Sequence, residues 1–130
     1  MTKALYLDTN ILIYLLERHE PYSKTVAKIL DDFTSSNNGT LMTSAITIVE
    51  FLAGTESKSL KILQKVPRLK FVSLDENLAE QAGLLKRDNK LQIGDAIHLA
   101  TAIHIGVEAF FTNDKHLGKA TSKYLAVQDL

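Results

Sequence analysis

Lys3-Ala4-Leu5-Tyr6-Leu7-Asp8-Thr9-Asn10-Ile11-Leu12-Ile13-Tyr14-Leu15-Leu16 decides how the rest of the chain is read. Residues 3–7 are short, apolar and closed by an acid, which is the pattern of a strand buried on both faces. From 9 to 18 the apolar positions Ile11, Leu12, Leu15 and Leu16 recur at helical spacing. A buried strand that turns at an aspartate straight into a helix is the opening of a βα unit. The same alternation continues along the chain. Pro21 suits the first position of a second helix reaching about residue 35, with Val26, Ile29, Leu30 and Phe33 on one face. Ser35-Ser36-Asn37-Asn38-Gly39 reads as a turn, and 40–43 as a strand. Ser44 is placed to cap a helix that ends near Gly54. A short helix over 56–65 is stopped by Pro67, and 69–74 alternates as a strand. Asp75 caps a helix to about Asp88, and Gly94-Asp95 opens another that ends at Gly106. Residues 107–112 and 124–127 read as the last two strands. Strands alternating with helices predict an α/β fold, a central and mostly parallel sheet of about four to five strands flanked by helices. The length, 130 residues, fits one domain over 1–130.

Four acids interrupt this apolar pattern. Asp8 ends the first strand, Glu50 sits within Ile46-Thr47-Ile48-Val49-Glu50-Phe51-Leu52, Asp95 precedes Ala96-Ile97-His98-Leu99-Ala100, and Asp114 follows Phe110-Phe111-Thr112-Asn113. In open parallel sheets, ligands gather outside the carboxyl ends of the strands. Asp8 and Asp114 follow strands, Asp95 starts a helix, and Glu50 lies two turns into the helix after residues 40–43, so all four can face one sheet edge. Two unit charges ~5 Å apart repel by roughly 3 kcal/mol at an effective dielectric of about 20. Four carboxylates brought together must therefore take up protons or bind a cation, and hard oxygen ligands favour Mg²⁺ or Mn²⁺. Asp8, Asp95 and Asp114 each also read as helix caps or turn formers, which leaves a second oxygen free. Glu50 is no cap. In a helix apolar on most sides it is expected to be buried, needing a partner or a proton, and a lysine or arginine is the alternative partner. If its pKa is raised, it becomes the candidate for passing protons.

Composition narrows the classes further. Fifteen basic residues balance fifteen acidic ones, so net charge gives no support for nucleic-acid binding. Lys58, Lys61, Lys65, Arg68 and Lys70, and again Lys86, Arg87 and Lys90, cluster as either solvated helix faces or phosphate contacts. The absence of cysteine removes disulfides, thiolate zinc sites and thiol nucleophiles, and suits a reducing cytoplasm. The N-terminal apolar run is broken by Asp8 and Asn10, so it does not read as a signal peptide, and no stretch is long enough to span a membrane. His98 and His104 stand six apart and form no metal pair; His19 and His116 fall in surface segments. There is no zinc constellation, Gly-rich phosphate loop, G-x-S-x-G or aromatic stacking platform.

Leu7-Asp8-Thr9-Asn10-Ile11-Leu12, Thr47-Ile48-Val49-Glu50-Phe51-Leu52-Ala53-Gly54, Gly94-Asp95-Ala96-Ile97-His98-Leu99-Ala100-Thr101-Ala102 and Phe111-Thr112-Asn113-Asp114 resemble, in this order, the PIN-domain family, and most closely the VapC-type toxins of bacterial and archaeal toxin–antitoxin pairs. The stretch from 55 to 93 carries no family motif. The resemblance implies a metal-dependent endoribonuclease in which Asp8, Glu50, Asp95 and Asp114 hold Mg²⁺ or Mn²⁺, with Asp8 and Asp95 the principal ligands. It implies supporting roles for Thr112 and Asn10. Asn113 stands where many members carry arginine, a position that bears on substrate contact. It further implies an RNA substrate, a homodimer and inhibition by a cognate antitoxin protein that covers the pocket. A metal-dependent DNA nuclease and a non-catalytic RNA- or protein-binding module are the alternatives. A phosphoacceptor receiver domain is a poorer match, because it wants an acidic pair where Asp8 is followed by Thr9-Asn10.

Overall fold

The structure, a computed structural model, describes residues 3–36, 38–56 and 59–130. Asn37 of the expected turn, and Ser57 and Lys58 of the expected short helix, lie outside the described residues. The elements run β1 (Ala4–Leu7), α1 (Thr9–Leu16), α2 (Tyr22–Ser36), β2 (Thr40–Ser44), α3 (Ile46–Gly54), α4 (Leu60–Gln64), β3 (Leu69–Val72), α5 (Glu76–Asn89), α6 (Ile93–Ile105), β4 (Ala109–Phe111), α7 (Lys115–Thr121) and β5 (Val127–Gln128). The five strands form one sheet in the order β3-β2-β1-β4-β5, and every pairing is parallel.

Parallel strands must be covered on both faces, and the side-chain alternation of β1 divides the core accordingly. Leu5 and Leu7 point to one side, where Ile11, Leu12, Val26, Leu30, Phe51, Leu63 and Phe111 pack from α1–α4 and β4. Tyr6 points to the other, with Phe110, Leu91, Ala96, Leu99 and Leu117 from β4 and the second half of the chain. The adjacent pair Phe110-Phe111 serves both cores in the same way. β1 is the central strand: chain tracing moves outward through β2 and β3 on one side, then crosses to β4 and β5 on the other. That reversal places a crevice beyond the C-terminal ends of β1 and β4.

Differences from the sequence reading are local. α2 begins at Tyr22, one residue after the cis Glu20–Pro21 bond. Ser44 belongs to β2, although its Oγ still accepts from the Ile46 N–H at 3.1 Å. The short helix narrows to Leu60–Gln64, capped by Ser59. The last strand falls at Val127–Gln128, later than 124–127, because the Tyr124 and Leu125 N–H groups turn back to the Thr121 carbonyl, both at 2.9 Å. Helix α3, read as buried, exposes one side: Val49 is 61% and Leu52 38% accessible, and only Thr47 and Phe51 are buried. Among the described residues no helix is long and apolar enough to cross a membrane.

This division of apolar residues has a measurable consequence. Leu99 on α6 is fully buried, so Leu99→Ala is expected to cost about 2–5 kcal/mol in denaturant unfolding. Val49→Ala, on the exposed side of α3, is expected to stay within about 0.5 kcal/mol. Equal costs at the two positions would contradict the assignment of the cores.

Candidate active site

The four acids arrive from four separate elements. Asp8 is the N-cap of α1, and its Oδ1 accepts from the Thr9 N–H at 2.8 Å. Asp114 caps α7, its Oδ1 accepting from the Leu117 N–H at 3.1 Å. Asp95 is not the cap that the sequence suggests. α6 starts earlier, at Ile93 with Gln92 as N-cap, so Asp95 lies in the first turn. There the helix dipole favours a negative charge. Glu50 projects from α3. Together Asp8, Glu50, Asp95 and Asp114 line one cavity of about 460 Å³, along with Thr9, Asn10, Gln92 and His116. A larger hollow of about 800 Å³ lies elsewhere, but none of the four acids lines it.

Hydroxyl groups beneath the cavity hold the acids in place. Thr112 is buried below the floor, not on it. Its Oγ1 donates to Asp8 Oδ2 at 2.8 Å and accepts from the Asp114 N–H at 3.0 Å, tying the ends of β1 and β4 together. The Asp8 N–H donates to the Phe111 carbonyl at 3.0 Å in the same place. Thr9 Oγ1 donates to Glu50 Oε1 at 2.8 Å. Asn10 lines the cavity, and its side chain makes no hydrogen bond among the described residues.

Sequence reasoning passed over His98. It is fully buried on α6, with Nε2 2.7 Å from Glu50 Oε1, 3.1 Å from Thr9 Oγ1 and 3.7 Å from Asp8 Oδ1. The partner of Glu50 is thus an imidazole, not a lysine or arginine. The signal was the spacing: His98 follows Asp95 by three residues and so shares its side of the helix, whereas the comparison with His104 hid this. Gly94, read from the sequence as opening the helix, has a further role. A Cβ there would collide with Glu50 Oε2, so the glycine lets that carboxylate lie against the first turn of α6.

The charges respond to this crowding. Burial raises the Asp8 carboxyl above its usual range, with the nearby His98 and the Thr112 hydroxyl holding it back. Asp95 is pushed up to about 6, first by burial and then by repulsion from Asp8 and Asp114. Glu50 goes the other way: burial pushes it up, but the hydrogen bond and attraction of His98, with the Thr9 hydroxyl, outweigh burial and hold it below its ordinary value. The expectation of a raised, proton-passing Glu50 is therefore corrected. Nor does the rise at Asp95 by itself mark an acid–base group, since it follows from burial first and from unneutralised neighbours second.

These donors are all hard oxygens. Among the described residues no three carboxylates or imidazoles already close on a single point as a cage. Hard oxygens of this kind are donors that fit Mg²⁺ or Mn²⁺. The basic clusters stand apart: Lys61, Lys65, Arg68, Lys70, Lys86, Arg87 and Lys90 do not line the cavity. Arg68 instead donates through Nε to the Gly39 carbonyl at 2.7 Å and through Nη2 to that of Asn38 at 3.1 Å, bracing the entry to β2.

The raised Asp95 carboxyl makes a stability prediction. The folded chain holds this proton more tightly than the unfolded chain, whose value is near 3.8. Its stabilising contribution is full below that value and lost as pH climbs through about 6. In EDTA, Asp95→Asn is therefore expected to unfold at a higher temperature than wild type at pH values above about 6, the gap narrowing on acidification toward pH 4. A variant less stable than wild type at neutral pH would contradict the repulsion.

Comparison with known proteins agrees with the geometry. Residues 5–123 match the PIN domain family model. No curated protein sequence matches. Among solved structures, a toxin–antitoxin complex from Klebsiella pneumoniae superposes with a TM-score of 0.71 at 24% identity, covering 97% of this chain and 96% of that one. VapBC2 from Rickettsia felis, bound to a promoter DNA fragment, gives 0.69 at 19%, covering 97% and 98%. VapC20 from Mycobacterium tuberculosis, described as a sarcin–ricin loop cleaving toxin, gives 0.69 at 17%, covering 89% and 94%. At these identities the structures share a fold with this chain. The family match spans nearly all of it and every one of the four acids, and the chain belongs to the PIN-domain family.

Proposed function

We propose that this protein, as one catalytic domain over residues 1–130, is a Mg²⁺- or Mn²⁺-dependent endoribonuclease and the toxin of a toxin–antitoxin pair. The observation that carries the nuclease reading is the convergence of Asp8, Glu50, Asp95 and Asp114 on one cavity, where burial and then repulsion from Asp8 and Asp114 lift Asp95 to about 6. A scaffold gains nothing from concentrating like charges, whereas a nuclease of this type needs them. Asp8 and Asp95 are assigned as the principal ligands, with Glu50 and Asp114 completing the field. When bound, a divalent ion supplies the positive charge that cancels this field and polarises water and phosphoryl oxygens. Thr112 fixes the direction of Asp8 through Oδ2 and links it to Asp114. The α6 turn carries Asp95 without using it as a cap, leaving both oxygens for the cavity. Asn10, with no protein partner among the described residues, is placed to contact substrate at the cavity wall.

The substrate and partner assignments draw on relatives. VapC20 is described as a sarcin–ricin loop cleaving toxin, which supports an RNA substrate here. The R. felis and K. pneumoniae structures are toxin–antitoxin complexes, which supports a cognate antitoxin. Ile93, 69% exposed, and Val49 are chain neighbours of cavity residues Gln92 and Glu50, so apolar surface stands beside the opening where an antitoxin segment or a second copy in a homodimer would gain by covering it. The absence of cysteine is consistent with action in the cytoplasm.

Purified protein is expected to cleave RNA when Mg²⁺ or Mn²⁺ is added and to stop on addition of EDTA. Asp8→Asn and Asp95→Asn should abolish cleavage. Thr112→Val, which removes only the supporting hydroxyl, should lower it by about 10–100-fold. Undiminished cleavage by Asp8→Asn overturns the site assignment, and equal cleavage of matched DNA overturns the choice of RNA.

A further inference from the structure

A polar chain descends from the cavity into the core on the α5–α7 side of the sheet. Glu50 Oε1 receives two bonds, from Thr9 Oγ1 at 2.8 Å and from His98 Nε2 at 2.7 Å. On the far side of the same ring, Nδ1 is 2.6 Å from the Tyr6 hydroxyl. Tyr6 and His98 are both fully buried, and Tyr6 stacks on Phe110 with centroids 4.9 Å apart. Glu50 Oε2 makes no hydrogen bond among the described residues and lies against Gly94, next to Asp95. The two oxygens of Glu50 are therefore unequal: one is anchored inward, the other is left toward the cavity.

We propose that Tyr6 and His98 act as a buried positioning pair that fixes the Glu50 carboxylate, Tyr6 O–H holding the imidazole in the Nε2–H tautomer and His98 Nε2–H holding Oε1, so that Oε2 is the oxygen presented beside Asp95. The chemistry admits one arrangement for a neutral ring. A carboxylate only accepts, so the nitrogen facing Glu50 must carry the proton. Nδ1 is then bare and must accept, and the Tyr6 phenol is the donor within reach. Without that hydroxyl, Nδ1 is a buried acceptor with no partner, and the ring is held only through Nε2. Tyr6 sits on the central strand and does not line the cavity; its hydroxyl also meets the Thr43 hydroxyl and the Ser44 backbone, and among the described residues His98 is the one that bonds both Tyr6 and Glu50. Ring orientation by the far nitrogen is a known route by which proteins tune metal-facing groups. The proposal rests on the divalent-ion reading of the cavity, and its test separates the two.

The first readout needs no metal. ¹⁵N-edited NMR of neutral His98 in EDTA should show the Nε2–H tautomer with a hydrogen-bonded Nδ1 in wild type, and the Nδ1 resonance moved to that of an unbonded ring nitrogen in Tyr6→Phe, which removes only the hydroxyl. The second is Mn²⁺ affinity by calorimetry, expected to fall about 10-fold in Tyr6→Phe. His98→Gln carries an amide donor at the position of Nε2 and has no tautomer, so it should retain most of the affinity that His98→Ala loses. Tyr6→Phe should then add nothing in the His98→Gln background, whereas a packing role for Tyr6 would make the two losses add. An unchanged Nδ1 resonance in Tyr6→Phe, or additive losses, overturns the positioning pair. Failure of wild type to bind Mn²⁺ overturns the reading of the cavity, while the Nδ1 measurement still decides whether Tyr6 anchors His98.

Discussion

Repulsion among carboxylates gathered beyond the ends of β1 and β4 is the constraint around which this structure is arranged. The parallel sheet reverses its direction of winding at β1, and the crevice created there receives Asp8 and Asp114 from its own strand ends. α3 and α6 then bring Glu50 and Asp95 to the same place. Each acid alone is inexpensive, being capped, dipole-stabilised or hydrogen-bonded. Collectively they are not, and burial together with repulsion raises Asp95, the carboxylate least supported by partners. Buried hydroxyls and one imidazole hydrogen-bond to Asp8 and Glu50, and the proposed cation would neutralise the rest of the field.

The supporting polar groups explain why the acids can sit beside a dry core. Thr112, Thr9, Thr43 and Thr47 are buried hydroxyls with partners: Thr43 Oγ1 donates to the Leu7 carbonyl at 2.8 Å and lies 2.6 Å from Thr47 Oγ1. A layer of threonines between the apolar sheet and the charged cavity lets β1 stay extended while the residue that follows it, Asp8, is ionisable. Threonine suits that layer because its branched Cβ favours strands and its hydroxyl both gives and accepts.

Much of this was legible in the sequence, for identifiable reasons. β1, α5 and α6 are marked by period and by end residues: Asp75 caps α5 through Leu78 N–H at 2.8 Å, and Gly106 ends α6 in the left-handed region at φ 74°. The four acids were legible because each breaks an apolar run. Their charge states were not, since those depend on neighbours distant in sequence: Glu50 meets His98 48 positions away, and Asp8 meets Thr112 104 positions away. His98 was hidden because a histidine inside Ala96-Ile97-His98-Leu99-Ala100 looks like core, and it is core on every side but one. The exposed side of α3 escaped for the opposite reason. Val49 and Leu52 look like core by type, and only their position around the helix, read against the packed sheet, turns them outward.

The most direct measurement is anomalous diffraction from crystals of the protein grown or soaked with Mn²⁺. The expected result is a peak in the cavity within about 2.0–2.3 Å of oxygens from Asp8 and Asp95. Ordered carboxylates with no peak between them, or a peak only at some other part of the surface, would contradict the claim that this crevice exists to hold a divalent cation.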